Sequence, residues 1–159
     1  MKKILITGAN SYIGTSFERF LSVHPDEYQV DTIDMYGGAW QQKRFIGYDC
    51  IVHVAGIAHV STKNMAELEQ KTYWEINALL PIEVAKKAAN ESVKQFIFLS
   101  SMSVYGEIGR MTPPIIITRE TQTNPNDIYG KSKLCAEKGI LQLEKTGFRT
   151  CILRPPMIY

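Results

Sequence analysis

The chain has 159 residues, 45% hydrophobic and 21% charged, an ordinary globular composition with enough length for one well-buried domain. Its formal charge of +2 arises from 18 basic and 16 acidic residues interleaved along the sequence. There is therefore no basic stripe of the kind nucleic acid or an anionic membrane surface selects, and no run approaches the ~20 apolar residues of a membrane span.

Met1-Lys2-Lys3 leads into ILITG, an apolar stretch too short for a signal peptide and stopped by a glycine turn, so a cytoplasmic protein is expected. Cys50, Cys135 and Cys151 lie far apart and no pair has metal-ligand or redox spacing, which predicts reduced, packed thiols and no metal.

Lys3 to Thr7 reads as a strand buried on both faces and closed by Gly8. Ile13, Phe17, Phe20 and Leu21 recur at helical spacing, and His24-Pro25-Asp26 ends that helix. Gln29 to Ile33 predicts a second strand closed by Asp34. Met35 to Tyr48, with Gly37-Gly38 and a polar stretch at 41–44, predicts mostly loop. Cys50 to Val54 is a further buried strand. Met65 to Asn90 is helical in composition, with Pro81 demanding a kink or break near Leu80. Gln95 to Leu99 is a strand, Tyr129 to Lys145 a helix, and Thr150 to Leu153 the last strand. The alternation predicts an α/β fold: a Rossmann-like, doubly wound parallel sheet with helices on both faces, as one domain over residues 1–159.

Between the first strand and helix stands Thr7-Gly8-Ala9-Asn10-Ser11-Tyr12-Ile13-Gly14, where a dinucleotide-binding turn belongs. Gly8 suits the tight turn, Gly14 lets the helix pack on the sheet, and the helix N-terminus offers N–H groups to a pyrophosphate. Asp34 ends the next strand 20 residues after Gly14, where a carboxylate accepts hydrogen bonds from both adenosine ribose hydroxyls. It would repel a 2′-phosphate, so NAD is expected over NADP, with Lys43 and Arg44 leaving NADP open.

Tyr129 and Lys133, in YGKSK, are four residues apart and share one face of the predicted helix. A tyrosine titrates near 10, too high for a base at neutral pH, and the neighbouring ammonium is expected to lower it. Ser101, beyond the preceding strand, could hold a substrate oxygen. His53 and His59 are read first as packed, hydrogen-bonded side chains, with a ligand contact the less favoured reading for both and least for His53.

TGANSYIG, VHVAG at Val52 to Gly56, Asn77, FIFLSSMSVYG at Phe96 to Gly106, YGKSK and the final LRPPMIY form an ordered set. The set resembles the extended short-chain dehydrogenase/reductase family, the NAD-dependent nucleotide-sugar epimerases and dehydratases, and is most similar to its UDP-glucose 4-epimerase-like members. The resemblance implies that Tyr129 is the acid/base, that Lys133 holds the nicotinamide ribose and tunes Tyr129, and that Ser101 is the hydroxyl partner. It implies that the turn residues Gly8, Asn10, Ser11, Tyr12, Ile13 and Gly14, with Asp34, Ala55, Gly56, Asn77 and Pro155, contact the cofactor. Ser103 falls at a substrate-facing position, although a turn serine bonded to its own backbone is an equal reading. Asn77 bonded to a neighbouring loop and Pro155 as a simple strand end are the structural alternatives.

The sequence also departs from the family pattern. Ser11 stands where the turn's middle glycine belongs, adding a hydroxyl that can donate a hydrogen bond. Met35 to Tyr48 is shorter than the stretch in which relatives carry an additional helix and strand that contact adenine. The chain stops at Tyr159, where the family continues through a Gly-Pro-Gly loop into a C-terminal substrate domain, so the nucleotide-binding part alone is expected here. Met102 and Ser103 occupy the place of the acidic pair found in the family's dehydratases, which puts epimerase ahead of 4-ketosugar reductase and dehydratase. A non-catalytic cofactor-sensing module and an inactive fragment are the competing readings. A nucleotide-sugar substrate and homodimerisation through helices of the 65–90 and 129–145 regions are further expectations from the family.

Overall fold

A computed structural model of the protein describes residues 1–58, 66–110 and 116–156, with 107–110 described by their backbone alone. Five parallel strands, β1 (Lys2–Thr7), β2 (Tyr28–Ile33), β3 (Cys50–His53), β4 (Gln95–Leu99) and β5 (Arg149–Leu153), form one sheet in the order β2-β1-β3-β4-β5. Helices α1 (Tyr12–Ser22), α2 (Glu67–Trp74), α3 (Leu80–Asn90) and α4 (Ile128–Leu141) connect them. The predicted Rossmann-like arrangement is the one found.

The middle strands read as unbroken apolar runs because both of their faces are buried. Leu5, Ile51, Phe96 and Phe98 point to the α3 and α4 side, where Val84, Ala85, Ala136 and Ile140 meet them. Ile4, Ile6, Cys50 and Val52 point the other way, onto Leu21 and Phe17 of α1. Each large side chain buried so contributes about 1.5–3 kcal/mol of transfer free energy. No helix among the described residues is long and apolar enough to cross a membrane.

Residues 35–48 are mostly loop, as expected, yet are ordered into the fold. A 3₁₀ segment at Tyr36–Gln41 turns through positive φ at Gly37 and Gly38, and Trp40, Phe45 and Tyr48 enter the main core. The Glu91 carboxylate, at the end of α3, fixes this segment by accepting the Phe45 and Ile46 N–H groups.

The kink or break expected near Leu80 is found as a change of ladder: α2 ends at Trp74, a π-helical turn runs over Glu75–Leu79 with the Leu80 N–H reaching the Glu75 carbonyl, and α3 begins at Leu80. Proline then sits in the first turn of α3, where its missing N–H removes no helical bond. Smaller differences are confined to element ends: α4 begins at Ile128 and stops at Leu141, and β3 stops at His53. The predicted start of the long helix at Met65 lies outside the described residues.

Candidate active site

The chain order of the strands reverses direction at β1 and β3, and open parallel sheets bind ligands in the crevice that this creates at the strands' C-terminal ends. At the end of β1, Gly8 has φ +100, and a Cβ there would lie 2.9 Å from the Ala55 nitrogen. The Gly8 and Ala9 N–H groups both donate to the Ile33 carbonyl, at 2.9 and 3.1 Å, which draws the end of β2 against the turn. Asp34 is thereby placed beside the glycine turn, exposed, with one carboxylate oxygen accepting the Tyr36 N–H at 2.9 Å.

Asn10 takes positive φ, and Ser11 is the N-cap of α1, its hydroxyl oxygen accepting the Gly14 N–H at 3.0 Å. The residue in place of the expected glycine is thus a helix cap. A Cβ on Gly14 would collide with that hydroxyl at 2.8 Å and with the Gly8 carbonyl at 2.7 Å. Across the crevice, a Cβ on Gly56 would meet Asn77 Oδ1 at 2.9 Å and Lys133 Nζ at 3.3 Å. Ser11, Tyr12, Ile13, Val54, Gly56, Ala58, Leu99, Ser100, Tyr129 and Lys133 line a cleft of about 210 Å³ here. The bare backbone at Gly8, Gly14 and Gly56 and the N-terminus of α1 are the features a dinucleotide's pyrophosphate needs. A larger depression of about 630 Å³ over Leu68, Lys71 and Trp74 of α2 gathers none of these groups.

Asn77, fully buried in the π-helical turn, accepts the Ile57 N–H at 2.9 Å and donates to the Ile57 carbonyl at 3.0 Å. Its amide therefore holds the loop after β3, the structural alternative weighed from sequence. Pro155 follows β5, and its carbonyl accepts the Met102 N–H at 3.0 Å, which brings it beside Ser101.

α4 starts at the Asp127 cap, whose side chain accepts the Gly130 N–H at 2.7 Å. A Cβ on Gly130 would lie 2.4 Å from the Ser103 carbonyl, so the glycine of YGKSK lets α4 settle directly on the segment after β4. Ser101, Tyr129 and Lys133 are brought together there. The Ser101 hydroxyl donates to Ser103 Oγ at 3.1 Å, and Ser101 stands close enough to Tyr129 to favour its charged form. Ser103 returns its N–H to Ser101 Oγ at 3.1 Å, so the serine turn here is made by the Ser101 side chain, and the Ser103 hydroxyl bonds Ser101 and not its own backbone.

The expected effect of Lys133 on Tyr129 is not what the structure gives. Tyr129 is held above the ordinary tyrosine value, chiefly by burial, with the Ser101 hydroxyl opposing and Asp127 reinforcing. Lys133 Nζ lies 5.8 Å from the Tyr129 ring centre and donates to the Leu99 carbonyl at 2.9 Å. Burial brings the lysine down to about 8, Glu137 opposing.

His53 is packed, as expected. Thr7 Oγ1 lies 2.6 Å from Nδ1, Phe96 and Phe98 flank the ring, and Nε2 is buried without a hydrogen-bond partner. Burial, helped by the positive Lys133, lowers its value from 6.5 to about 3. The unfolded chain then takes up a proton below about 6.5 that the folded chain refuses until about 3, so stability falls as pH falls through that window. Between pH 7 and pH 5 this removes about 2 kcal/mol. Urea unfolding at both pH values should show that much less acid sensitivity in His53→Gln, and an equal loss in both proteins would refute the assignment. His59 lies outside the described residues, as do the last three residues of LRPPMIY, 157–159.

Sequence reading missed a second layer behind the site. Glu137, one helical turn beyond Lys133, is buried and bonded by Ser100 and Arg154. Its signal was the i, i+4, i+8 stripe from Tyr129, which the lysine-rich composition of the helix concealed.

Residues 4–159 match the model of the NAD dependent epimerase/dehydratase family. The chain is 30% identical to a UDP-glucose 4-epimerase of Vibrio cholerae, over 99% of this chain and 52% of that one. It is 28% identical to a GDP-6-deoxy-D-mannose reductase of Pseudomonas aeruginosa, over 97% and 51%. Among solved structures, the UDP-glucuronic acid 4-epimerase from Bacillus cereus in complex with NAD superposes with a TM-score of 0.79 at 21% identity, over 99% of this chain and 57% of that one. The chain thus spans about half the length of these relatives.

Proposed function

The chain belongs to the NAD dependent epimerase/dehydratase family, and from that premise we propose that it is the nucleotide-binding domain of an NAD-using UDP-sugar 4-epimerase. One observation carries the reading: Tyr129, flanked by Ser101, and Lys133 border the same cleft as the N-terminus of α1 and Gly56, with Asp34 placed beside the glycine turn by the Ile33 carbonyl. Bound NAD supplies a hydride acceptor and donor. Tyr129 moves the proton of the sugar hydroxyl, Ser101 holds that oxygen, and Lys133 binds the nicotinamide ribose. Gly8, Asn10, Ser11, Tyr12, Ile13 and Gly14 take the pyrophosphate, Ala55, Gly56 and Pro155 border the nicotinamide half, and Asn77 acts by holding the loop that contains Ile57. Ser103 supports Ser101 and stands next to the substrate side.

The reductase relative supports a second reading, single reduction of a 4-ketosugar by the same groups. An acid/base pair with a cofactor cradle speaks against a pure sensor, which has no use for Tyr129. A cytoplasmic homodimer is part of the proposal, supported by three free cysteines and by exposed Leu68, Leu79 and Leu141 on and beside α2 and α4.

Calorimetry tests the cofactor end directly. NAD should bind more tightly than NADP, because the Asp34 carboxylate accepts ribose hydroxyls and repels a 2′-phosphate. Asp34→Ala should bring the two affinities together. Equal or tighter binding of NADP by the unaltered chain would refute this role for Asp34.

A further inference from the structure

α4 presents Tyr129, Lys133 and Glu137 at successive turns of one face, and three consecutive residues beyond and at the end of β4 receive them. Ser101 faces Tyr129, the Leu99 carbonyl accepts from Lys133 Nζ at 2.9 Å, and the Ser100 hydroxyl donates to Glu137 Oε1. Glu137 is only 1% exposed. Arg154, just after β5, grips its carboxylate with two parallel bonds, Nε to Oε1 at 3.0 Å and Nη2 to Oε2 at 2.6 Å. The third arm of the guanidinium, Nη1, donates to the Tyr105 hydroxyl at 2.6 Å. One carboxylate therefore ties α4 to the ends of β4 and β5 and to the segment that contains Ser103 and Tyr105.

Stability alone does not call for charges at this place, because apolar side chains of similar volume often replace a buried ion pair at no loss. What an apolar pair cannot supply is a fixed negative charge one helical turn from Lys133. That lysine is itself buried, 4% exposed, with its ammonium 4.8 Å from the Phe98 ring centre. Among the described residues, the other ionisable groups around it are Tyr129 on the same helix, His53 on β3, Asp127 at the cap of α4, Tyr73 of α2 near Tyr129, and Arg154 beyond Glu137.

We propose that Glu137 is a positioning residue of the cofactor site: locked by Arg154 and Ser100 one helical turn from Lys133, its carboxylate holds α4 against the end of β4, where the Leu99 carbonyl anchors the Lys133 ammonium ready for the hydroxyls of a nicotinamide ribose. The ribose half of this statement rests on the cofactor reading above, whereas the hold on Lys133 does not.

The test uses the 159-residue chain with ¹³Cε-labelled lysine, the Lys133 signal being identified by its loss in Lys133→Met. Its titration midpoint should lie near pH 8 in the unaltered chain and at least ~1 pH unit lower in Glu137→Gln, which keeps the shape and removes the charge. NAD affinity, read by calorimetry, should then be nearly equal in the two proteins at pH 6, where both lysines are charged. At pH 8 it should be about fivefold weaker in the variant, following the charged fractions. A purely structural defect would weaken binding by the same factor at both pH values and would overturn the proposal. So would an unchanged Lys133 midpoint.

Should Glu137→Gln fail to fold, Glu137→Leu combined with Arg154→Met removes both charges together; losing the more distant guanidinium acts in the opposite sense, so the Lys133 midpoint should fall by less than in Glu137→Gln, and a midpoint that stays or rises would overturn the proposal. If the unaltered chain does not bind NAD, the cofactor reading fails and the ribose half with it. The lysine titration still decides whether Glu137 governs Lys133.

Discussion

Replacing Tyr129 with phenylalanine is expected to lower turnover of a UDP-sugar about a hundredfold to ten-thousandfold while leaving NAD affinity within about twofold, the usual pattern for loss of a general acid/base. Tyr129 is half-buried at the start of α4, and phenylalanine fills the same space. Only the hydroxyl, which faces Ser101, is lost. Because burial holds this tyrosine above its ordinary value, the phenol keeps its proton at neutral pH. The oxidative half-reaction, which needs a proton acceptor, should therefore quicken toward alkaline pH in the parent and lose that dependence in the variant. Initial rates with UDP-glucose and UDP-galactose, together with absorbance of reduced cofactor in a single turnover, measure both effects. The form of the protein to use is one that turns over such a sugar. Activity within about tenfold of the parent would assign the proton transfer to another group.

Much of the scaffold of this site was legible in the sequence for definite physical reasons. Strands buried on both faces must be continuous apolar runs, so ILIT, CIVH and FIFL announced themselves. Gly8 is read correctly because its positive φ and its approach to Ala55 exclude a side chain, and Tyr129 with Lys133 because helix geometry alone puts i and i+4 together.

What escaped depends on partners distant in sequence. Trp40, Phe45 and Tyr48 follow no regular period, and the segment that contains them is fixed by Glu91, about 46 residues away. Pro81 signals a missing N–H but not its resolution, which is a wide turn that points Asn77 at Ile57. The direction of the Tyr129 shift escaped for the same reason. Spacing places an ammonium nearby, whereas burial and the pull of the Leu99 carbonyl on that ammonium are properties of the folded chain.

Arg154→Ala should be the most damaging single change to stability outside the hydrophobic core, lowering the unfolding free energy by about 3–5 kcal/mol. The reason is the carboxylate left behind. Glu137 is 1% exposed, and without the guanidinium it keeps the Ser100 hydroxyl and loses two charge-assisted bonds. Tyr105 loses its bond from Nη1 at the same time. The exposed pair of Lys86 and Glu83, 2.8 Å apart on α3, offers an internal comparison. Lys86→Ala should change stability by no more than about 1 kcal/mol, because water replaces what is lost. Arg154→Met together with Glu137→Leu should recover most of the deficit, since no charge then remains to be buried and the apolar side chains fill the space. Urea unfolding of the parent, the two single variants and the double variant at pH 7 measures all of these. A loss below about 1 kcal/mol in Arg154→Ala would mean that water reaches Glu137 once the arginine is gone, so that its carboxylate is not locked within the fold as its contacts imply.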